Sequence, residues 1–216
     1  MARVLILRSS ENRSLHGDLS TAFPAIDWVD IAMPFLTGRG ESEKERRQLL
    51  ETLQALIAPY QGWDAVFYAR AYGAFSQPGR QALQQAMDGP MITAPGAVLQ
   101  YCMANQWESL FIFTPYGQAR HDFEVQWAES QGLAVAASLC LGYDAGAEIG
   151  KLTPDDLIPG ILAGNRSPAD GIYLACTITR SVPFGAPLHA NATKPFISAT
   201  EAMLWELQQR LGGILQ

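Results

Sequence analysis

The sequence predicts an α/β protein made of two pseudo-symmetric units, each a doubly wound parallel sheet, with the functional site in the cleft between them. The main observation is an internal repeat: three apolar runs recur in the same order, two at an offset of 106 residues and the third at one residue less. Such spacing predicts two copies of one unit. The matched pairs are Val4–Arg8 with Leu110–Thr114, Asp64–Ala71 with Asp170–Thr177, and Pro90–Thr93 with Pro195–Ser198.

The strands of both units follow from these runs. Each run is short, rich in β-branched and aromatic residues, and followed by polar or turn residues, which is typical of a parallel strand buried on both faces. Because helical patterns separate the runs, the strands should alternate with helices. We therefore expect a first unit over residues 1–105 and a second over 106–200, with the C-terminal helix within 201–216 packing on the first unit.

Three helices carry clear boundary signals. Residues 43–58 place their leucines and isoleucines on one stripe, and Pro59 ends the pattern. Thr153 followed by Pro154 and two aspartates is typical of a helix start. Ser198 and Glu201 form a capping-box pattern for the last helix, which Gly212 should end.

Composition narrows the classes of function. Of 216 residues, 48% are hydrophobic and 17% charged, with a net charge of −6 and no basic run. These values argue against disorder, a nucleic-acid-binding surface and an anionic-membrane surface. The longest apolar runs are too short to span a membrane. Residues 1–3 lead directly into a strand, so we expect no signal peptide and a cytoplasmic location.

Cofactor and metal motifs are missing from the sequence. Neither a GxGxxG nor a Walker A loop follows a strand, and the HExxH and GxSxG patterns do not occur. The three histidines are isolated, and the three cysteines have no CxxC spacing. The sequence therefore predicts chemistry that needs no cofactor, and it leaves the oligomeric state open.

The chemistry should lie at the carboxyl ends of the strands, where ligands bind in open parallel sheets. Cys176 ends a strand there, and a turn into a helix is expected after it. A thiol at a helix N-terminus has a lowered pKa and can act as a proton donor or nucleophile. The alternative is a small buried apolar side chain. Cys102 and Cys140 lie in apolar patterns and are expected to be inert.

Other strand-end residues are candidates for binding a substrate. Tyr116 could donate a hydrogen bond to a substrate oxygen, or be a half-buried aromatic residue. Arg70 could meet an anion, or it could snorkel or pair with an acid of the other unit. Ser9, Ser10 and Asn12 are small donors that serve equally well in turns and caps.

Several motifs resemble the aspartate/glutamate racemase superfamily, in the branch that holds maleate cis-trans isomerases and arylmalonate decarboxylases. They cover nearly the whole chain and are strongest from about residue 107 onward. The resemblance implies two pseudo-symmetric α/β halves around one site. The motifs are residues 113–116 (Phe-Thr-Pro-Tyr), 139–142 (Leu-Cys-Leu-Gly), 175–177 (Ala-Cys-Thr), 194–198 and 202–205.

Most members of this superfamily place one cysteine in each half. Here the second is Cys176, whereas Arg70 stands where the first would be. Since arginine stays protonated, it cannot act as a second base. A site with one cysteine resembles arylmalonate decarboxylase, in which a malonate loses CO₂ and the cysteine protonates the enediolate.

The resemblance assigns the proton donor and the groups around it. Cys176 would be the donor, in a cofactor-free carbon–carbon lyase acting on malonate-like acids. Hydrogen-bond donors would come from Tyr116, Ser9, Ser10 and the backbone around Ala71, Tyr72 and Thr177. Met33, Phe35 and Leu36 would line an apolar pocket. The alternatives are an isomerase or racemase of a small dicarboxylate or amino acid, and a non-catalytic carboxylate-binding protein.

Overall fold

The computed structural model describes residues 1–36, 39–87 and 89–212. Strands and helices alternate along the chain, and each half forms one four-stranded sheet. The strands are β1 (Ala2–Ser9), β2 (Ile26–Met33), β3 (Ala65–Ala69), β4 (Met91–Thr93), β5 (Ser109–Tyr116), β6 (Ala134–Tyr143), β7 (Gly171–Leu174) and β8 (Phe196–Ser198). The helices are α1 (Leu15–Ala22), α2 (Glu43–Ile57), α3 (Gln77–Gln85), α4 (Ala94–Ala104), α5 (Gln118–Ser130), α6 (Gly146–Ile149), α7 (Pro154–Asn165), α8 (Ser181–Asn191) and α9 (Ala199–Leu211).

The two sheets have the same topology. The strand order is β2-β1-β3-β4 in the first half and β6-β5-β7-β8 in the second, and all of these pairs are parallel. The predicted fold class and the internal repeat are therefore confirmed. Even the strand-start contacts repeat: Asp64 accepts from the Arg3 backbone N–H, and Asp170 accepts from that of Ser109, both at 2.8 Å.

The helix starts follow the local chemistry of the sequence. Capping boxes join Ser42 to Glu45, Thr153 to Asp156 and Ser198 to Glu201 at the starts of α2, α7 and α9. Each satisfies backbone donors that have no partner within the helix. The helix expected over 43–58 ends at Ile57, and the last helix starts at Ala199, two residues before the expected start.

One hydrophobic cluster is shared by both halves. It joins Phe67 and Val98 of the first half to Tyr173 and Leu207 of the second. Helices α4 and α9 pack against each other inside it, and α9 also contacts β3 and β4. The two sheets are therefore held in a fixed relation, with their carboxyl ends facing one cleft.

Within the described ranges, none of the helices has the length and hydropathy needed to cross a membrane.

Candidate active site

A cleft of about 560 Å³ lies between the halves at the carboxyl ends of the strands. Eight of the nine side chains expected from the sequence line it, and so do the three residues expected to form an apolar wall. The remaining one, Asn12, is buried behind the cleft. The expected residues in the lining are Ser9, Ser10, Met33, Phe35, Leu36, Arg70, Ala71, Tyr72, Tyr116, Cys176 and Thr177.

Cys176 has an unusual backbone conformation. It lies two residues beyond the end of β7, and its φ of +82° falls in the left-handed region that favours glycine. Local bonds hold it there: the Thr179 hydroxyl donates to the Cys176 carbonyl at 2.6 Å, and the Ile178 N–H donates to Sγ at 3.4 Å. A strained residue that is fixed by its surroundings is typical of functional sites.

The thiol of Cys176 is held in its protonated form. Burial raises its pKa, and hydrogen bonds from the Tyr116 hydroxyl and the Ile178 N–H lower the pKa by less. The expected lowering by a helix N-terminus is wrong, because α8 begins only at Ser181 and burial dominates. A protonated thiol that lines a cleft is suited to donating a proton.

Thr177 ties the two halves together beside the thiol. Its hydroxyl donates to the Ala69 carbonyl at the end of β3, at 3.1 Å. The Asn12 amide donates to the Thr177 carbonyl at 2.8 Å. Asn12 thus supports the loop that carries Cys176 rather than lining the cleft.

Arg70 holds a loop of its own half. Its guanidinium donates to the carbonyls of Pro34 at 2.8 Å and Leu36 at 3.5 Å, and it lies 5.0 Å from the centre of the Tyr72 ring. The ion pair with the other half that was one of the expectations does not occur among the described residues. Arg70 therefore positions the apolar wall formed by residues 33–36 while remaining in the lining.

The sequence analysis did not predict six polar residues of the cleft lining: Glu11, Arg39, Arg120, Glu124, Asp144 and Tyr173. Glu124 is only 5% exposed, and the Tyr173 hydroxyl donates to its Oε1 at 3.3 Å. Burial raises the pKa of Glu124 to about 7. The sequence does hold a signal for Glu124, since it lies on the same stripe of α5 as the buried His121 and Trp127.

Arg120 supplies a positive charge to the second half of the cleft. Its guanidinium lies 4.5 Å from the centre of the Tyr116 ring, within the range of a cation–π contact. It also lowers the pKa of both Cys176 and Glu124. On the opposite wall, Arg39 stacks 3.7 Å from the Phe123 ring centre.

The other two cysteines lie outside the cleft lining. Cys102 is buried in the shared cluster, where burial raises its pKa to about 12. Cys140 lies in β6 and its thiol donates to Gln118 Oε1 at 3.3 Å. The described portion of the chain contains no group of three His, Cys, Asp or Glu side chains that could hold a metal ion.

Comparisons with solved structures identify the same architecture. A maleate isomerase from Pseudomonas putida superposes with a TM-score of 0.76 at 19% identity, over 97% of this chain and 92% of that one. An unliganded arylmalonate decarboxylase superposes with a TM-score of 0.77 at 16% identity, over 99% and 94% of the two chains. At these identities, the likeness establishes the fold.

Sequence comparison adds the family. A maleate isomerase from Alcaligenes faecalis is 24% identical over 161 residues, which are 74% of this chain and 61% of that protein. The matched region thus spans less than two thirds of that relative. The family model for arylmalonate decarboxylase matches residues 60–214, which include both strand-end loops and the whole second half. The chain therefore belongs to the arylmalonate decarboxylase family, in the branch that the sequence motifs indicated.

Proposed function

We propose that this protein is a cofactor-independent decarboxylase of malonate-like carboxylic acids, in which Cys176 protonates the enediolate. The observation that carries the proposal is the buried Cys176 thiol, kept protonated and facing a cleft. A proton donor must hold its proton until charge develops on the substrate, and a raised pKa meets that need.

The reaction breaks one carbon–carbon bond. The bond between the α-carbon and one carboxylate breaks and CO₂ leaves. Its electron pair then delocalises from the α-carbon into the remaining carboxylate as an enediolate. The Sγ–H of Cys176 gives its proton to the α-carbon and becomes a thiolate, which must regain a proton before the next cycle.

Hydrogen-bond donors around the cleft would stabilise the enediolate oxygens. The hydroxyls of Ser9, Ser10 and Tyr116 line the cleft, as does the backbone of the loop at Ala71 and Tyr72. Donors fixed in advance stabilise developing charge without reorganising during the reaction. The guanidinium groups of Arg70 and Arg120 could hold the carboxylate that stays on the substrate.

Part of the cleft lining is apolar and suits a hydrocarbon substituent on the α-carbon. It is formed by residues on both halves, and Phe35, at 82% exposure, stands at its mouth. Arylmalonates are therefore the first substrates to test. The apolar lining residues are Met33, Phe35, Leu36, Phe75, Pro95 and Phe123.

A second candidate is an isomerase or racemase of a small dicarboxylate. It is favoured by the 24% identical relative, which is a maleate isomerase. It requires another group to replace the first-half cysteine, because Arg70 occupies that position.

The test is proton NMR of phenylmalonate and of maleate in D₂O, each with the wild type and with Cys176→Ser. We expect α-deuterated phenylacetate with the wild type only. Formation of fumarate from maleate would show that the protein is an isomerase and would contradict the proposed decarboxylase activity. Tight binding of either acid without turnover would favour a carboxylate-binding protein.

A further inference from the structure

Glu124 occupies a position where a carboxyl group is costly. It lies on the inward stripe of α5, between the buried His121 and Trp127. Only 5% of the residue is exposed to solvent. Within residues 1–36, 39–87 and 89–212 it forms no ion pair, and its hydrogen-bond donor is the Tyr173 hydroxyl. A buried carboxyl group without a charge partner is stabilised by taking up a proton.

The same carboxyl group is electrostatically coupled to the thiol. Glu124 raises the pKa of Cys176, and both groups line the cleft. Tyr116 belongs to the same group of residues, because it lines the cleft and Cys176 and Glu124 both raise its pKa. Cys176, Tyr116, Glu124 and Tyr173 thus form one buried cluster of titratable groups on the second half.

The proposed reaction removes one proton from this cluster, the proton of the Cys176 thiol. After Cys176 has protonated the α-carbon, its thiolate is buried and poorly solvated. The pKa of Cys176 lies above its ordinary value of 9.0, whereas that of Glu124 is about 7. A proton therefore moves downhill in free energy from the Glu124 carboxyl group to the thiolate.

We propose that Glu124 is the proton store of the cleft and returns Cys176 to its thiol form after each turnover, an inference that rests on the proposed decarboxylation. The O–H bond of the Glu124 carboxyl group breaks and an S–H bond forms at Cys176, and the proton passes through the cleft that both groups line. The Glu124 carboxylate then takes a proton from water in the cleft, so the cycle consumes one solvent proton per CO₂ released.

The other charged groups around the cleft set the conditions for this transfer. Arg120 comes one turn before Glu124 on α5 and stabilises its carboxylate. Arg39 and Arg70 line the cleft from the first half, and the carboxylates of Glu11 and Asp144 lie in the same lining. Tyr173 of β7 stabilises the carboxylate by its hydrogen bond.

The decisive measurement separates the first turnover from later ones. Wild type and Glu124→Gln are mixed with excess phenylmalonate in a rapid-quench instrument at pH 6, where the wild-type Glu124 carboxyl group holds its proton. Phenylacetate is counted per active site. We expect Glu124→Gln to complete the first turnover within about threefold of the wild-type rate, because Cys176 starts protonated. Later turnovers should slow by about tenfold or more, in the range of a lost general-acid contribution.

Glu206→Gln is the matched control. Glu206 is equally buried, at 6% exposure, but it lies on α9 outside the cleft lining and pairs with Arg210. The first and later turnovers of the Glu206→Gln variant should both match those of the wild type. An equal loss of first and later turnovers in Glu124→Gln would overturn the proposal, because it would place Glu124 in the chemical step or in folding.

A second measurement needs no substrate. Alkylation of Cys176 by iodoacetamide, followed by peptide mass spectrometry from pH 6 to 10, reports when the thiol ionises. Since the Glu124 carboxylate raises the pKa of Cys176, Glu124→Gln should shift the alkylation profile to lower pH. Identical profiles would overturn the proposal.

The two measurements also separate this proposal from the proposed function. If wild type fails to decarboxylate phenylmalonate but converts maleate to fumarate, the decarboxylase proposal fails. The alkylation profiles would then decide alone whether Glu124 exchanges charge with the thiol: a shift supports the coupling, and no shift overturns it.

Discussion

The loops after β3 and β7 occupy equivalent places in the two halves but perform different tasks. After β7, Cys176 has a left-handed backbone and a buried thiol. After β3, Arg70 has a negative φ, and its guanidinium donates hydrogen bonds to two backbone carbonyls of its own half. The difference teaches that the repeated fold fixes where functional groups lie, while single residues at the strand ends decide what they do.

The largest effect should come from removing the thiol. Cys176→Ala should lower kcat by about 100-fold or more, since general acids contribute 10²–10⁴-fold. Steady-state kinetics with phenylmalonate measures the loss, and Cys140→Ala, outside the cleft lining, should be unaffected. Full activity of Cys176→Ala would contradict the role of the thiol as proton donor, and with it the functional difference between the two loops.

The next largest effect is a pH-dependent change in stability caused by Glu124, which lies in the second half. Burial raises the pKa of Glu124 from 4.5 to about 7, so the folded state binds a proton more tightly than the unfolded state does. This contribution, at most about 3 kcal/mol, is fully present below about pH 4.5 and is lost as the pH rises through about 7. Relative to wild type, Glu124→Gln should therefore gain stability between pH 5 and pH 8.

Urea unfolding at a series of pH values measures that gain. Glu129→Gln is the control, because Glu129 lies on the same helix but is exposed. A constant difference in free energy of unfolding between Glu124→Gln and wild type would contradict the raised pKa.

Arg70 should prove to be mainly a positioning residue. Arg70→Met removes its hydrogen bonds to Pro34 and Leu36, which should cost about 1–2 kcal/mol of stability. Because the loop at 33–36 forms part of the apolar wall, KM for phenylmalonate should rise while kcat stays within tenfold. The exposed Arg13 offers the control Arg13→Met. A loss of kcat as large as that of Cys176→Ala would show that Arg70 acts in the chemical step.

The smallest effect tests the backbone of the two loops directly. At φ +82°, a side chain costs about 1–2 kcal/mol, so Cys176→Gly should be more stable than Cys176→Ala by up to about 1 kcal/mol. At position 70 the order should reverse, with Arg70→Gly less stable than Arg70→Ala. Thermal unfolding of the four variants measures the difference in stability between the Gly and Ala variants at each position. A difference of the same sign at positions 70 and 176 would contradict the contrast between the two loops.

Much of the fold could be predicted because strand-length apolar runs and their spacing are local properties. The runs at Val4–Arg8 and Asp64–Ala71 and their matches placed both sheets. The capping residues Thr153 and Ser198 predicted helix starts for the same reason, since a cap acts within one turn.

The site was harder to predict, because it depends on contacts between distant residues. Cys176 followed from its strand-end position, but the direction of its pKa shift did not, because the burial that raises the pKa comes from packing against residues distant in the sequence. Glu124 resembles the partner of an exposed pair with Arg120, one turn earlier, so its position on the buried stripe of α5 was outweighed by its charge. Asn12 has the residue type of a substrate donor, yet the fold uses its amide on Thr177.

The cluster shared by both halves has a consequence for chirality. Two identical halves associating as a homodimer would carry the same residue at both strand ends and would offer the same groups to either side of a bound molecule. In one continuous chain the two positions are free to differ, as Cys176 and Arg70 do. In the proposed decarboxylation, a prochiral enediolate bound in one orientation would receive its proton from the side on which the Cys176 thiol lies. The fused chain thus allows the two sides of a bound molecule to meet different groups, which in the proposed reaction would favour one mirror-image product.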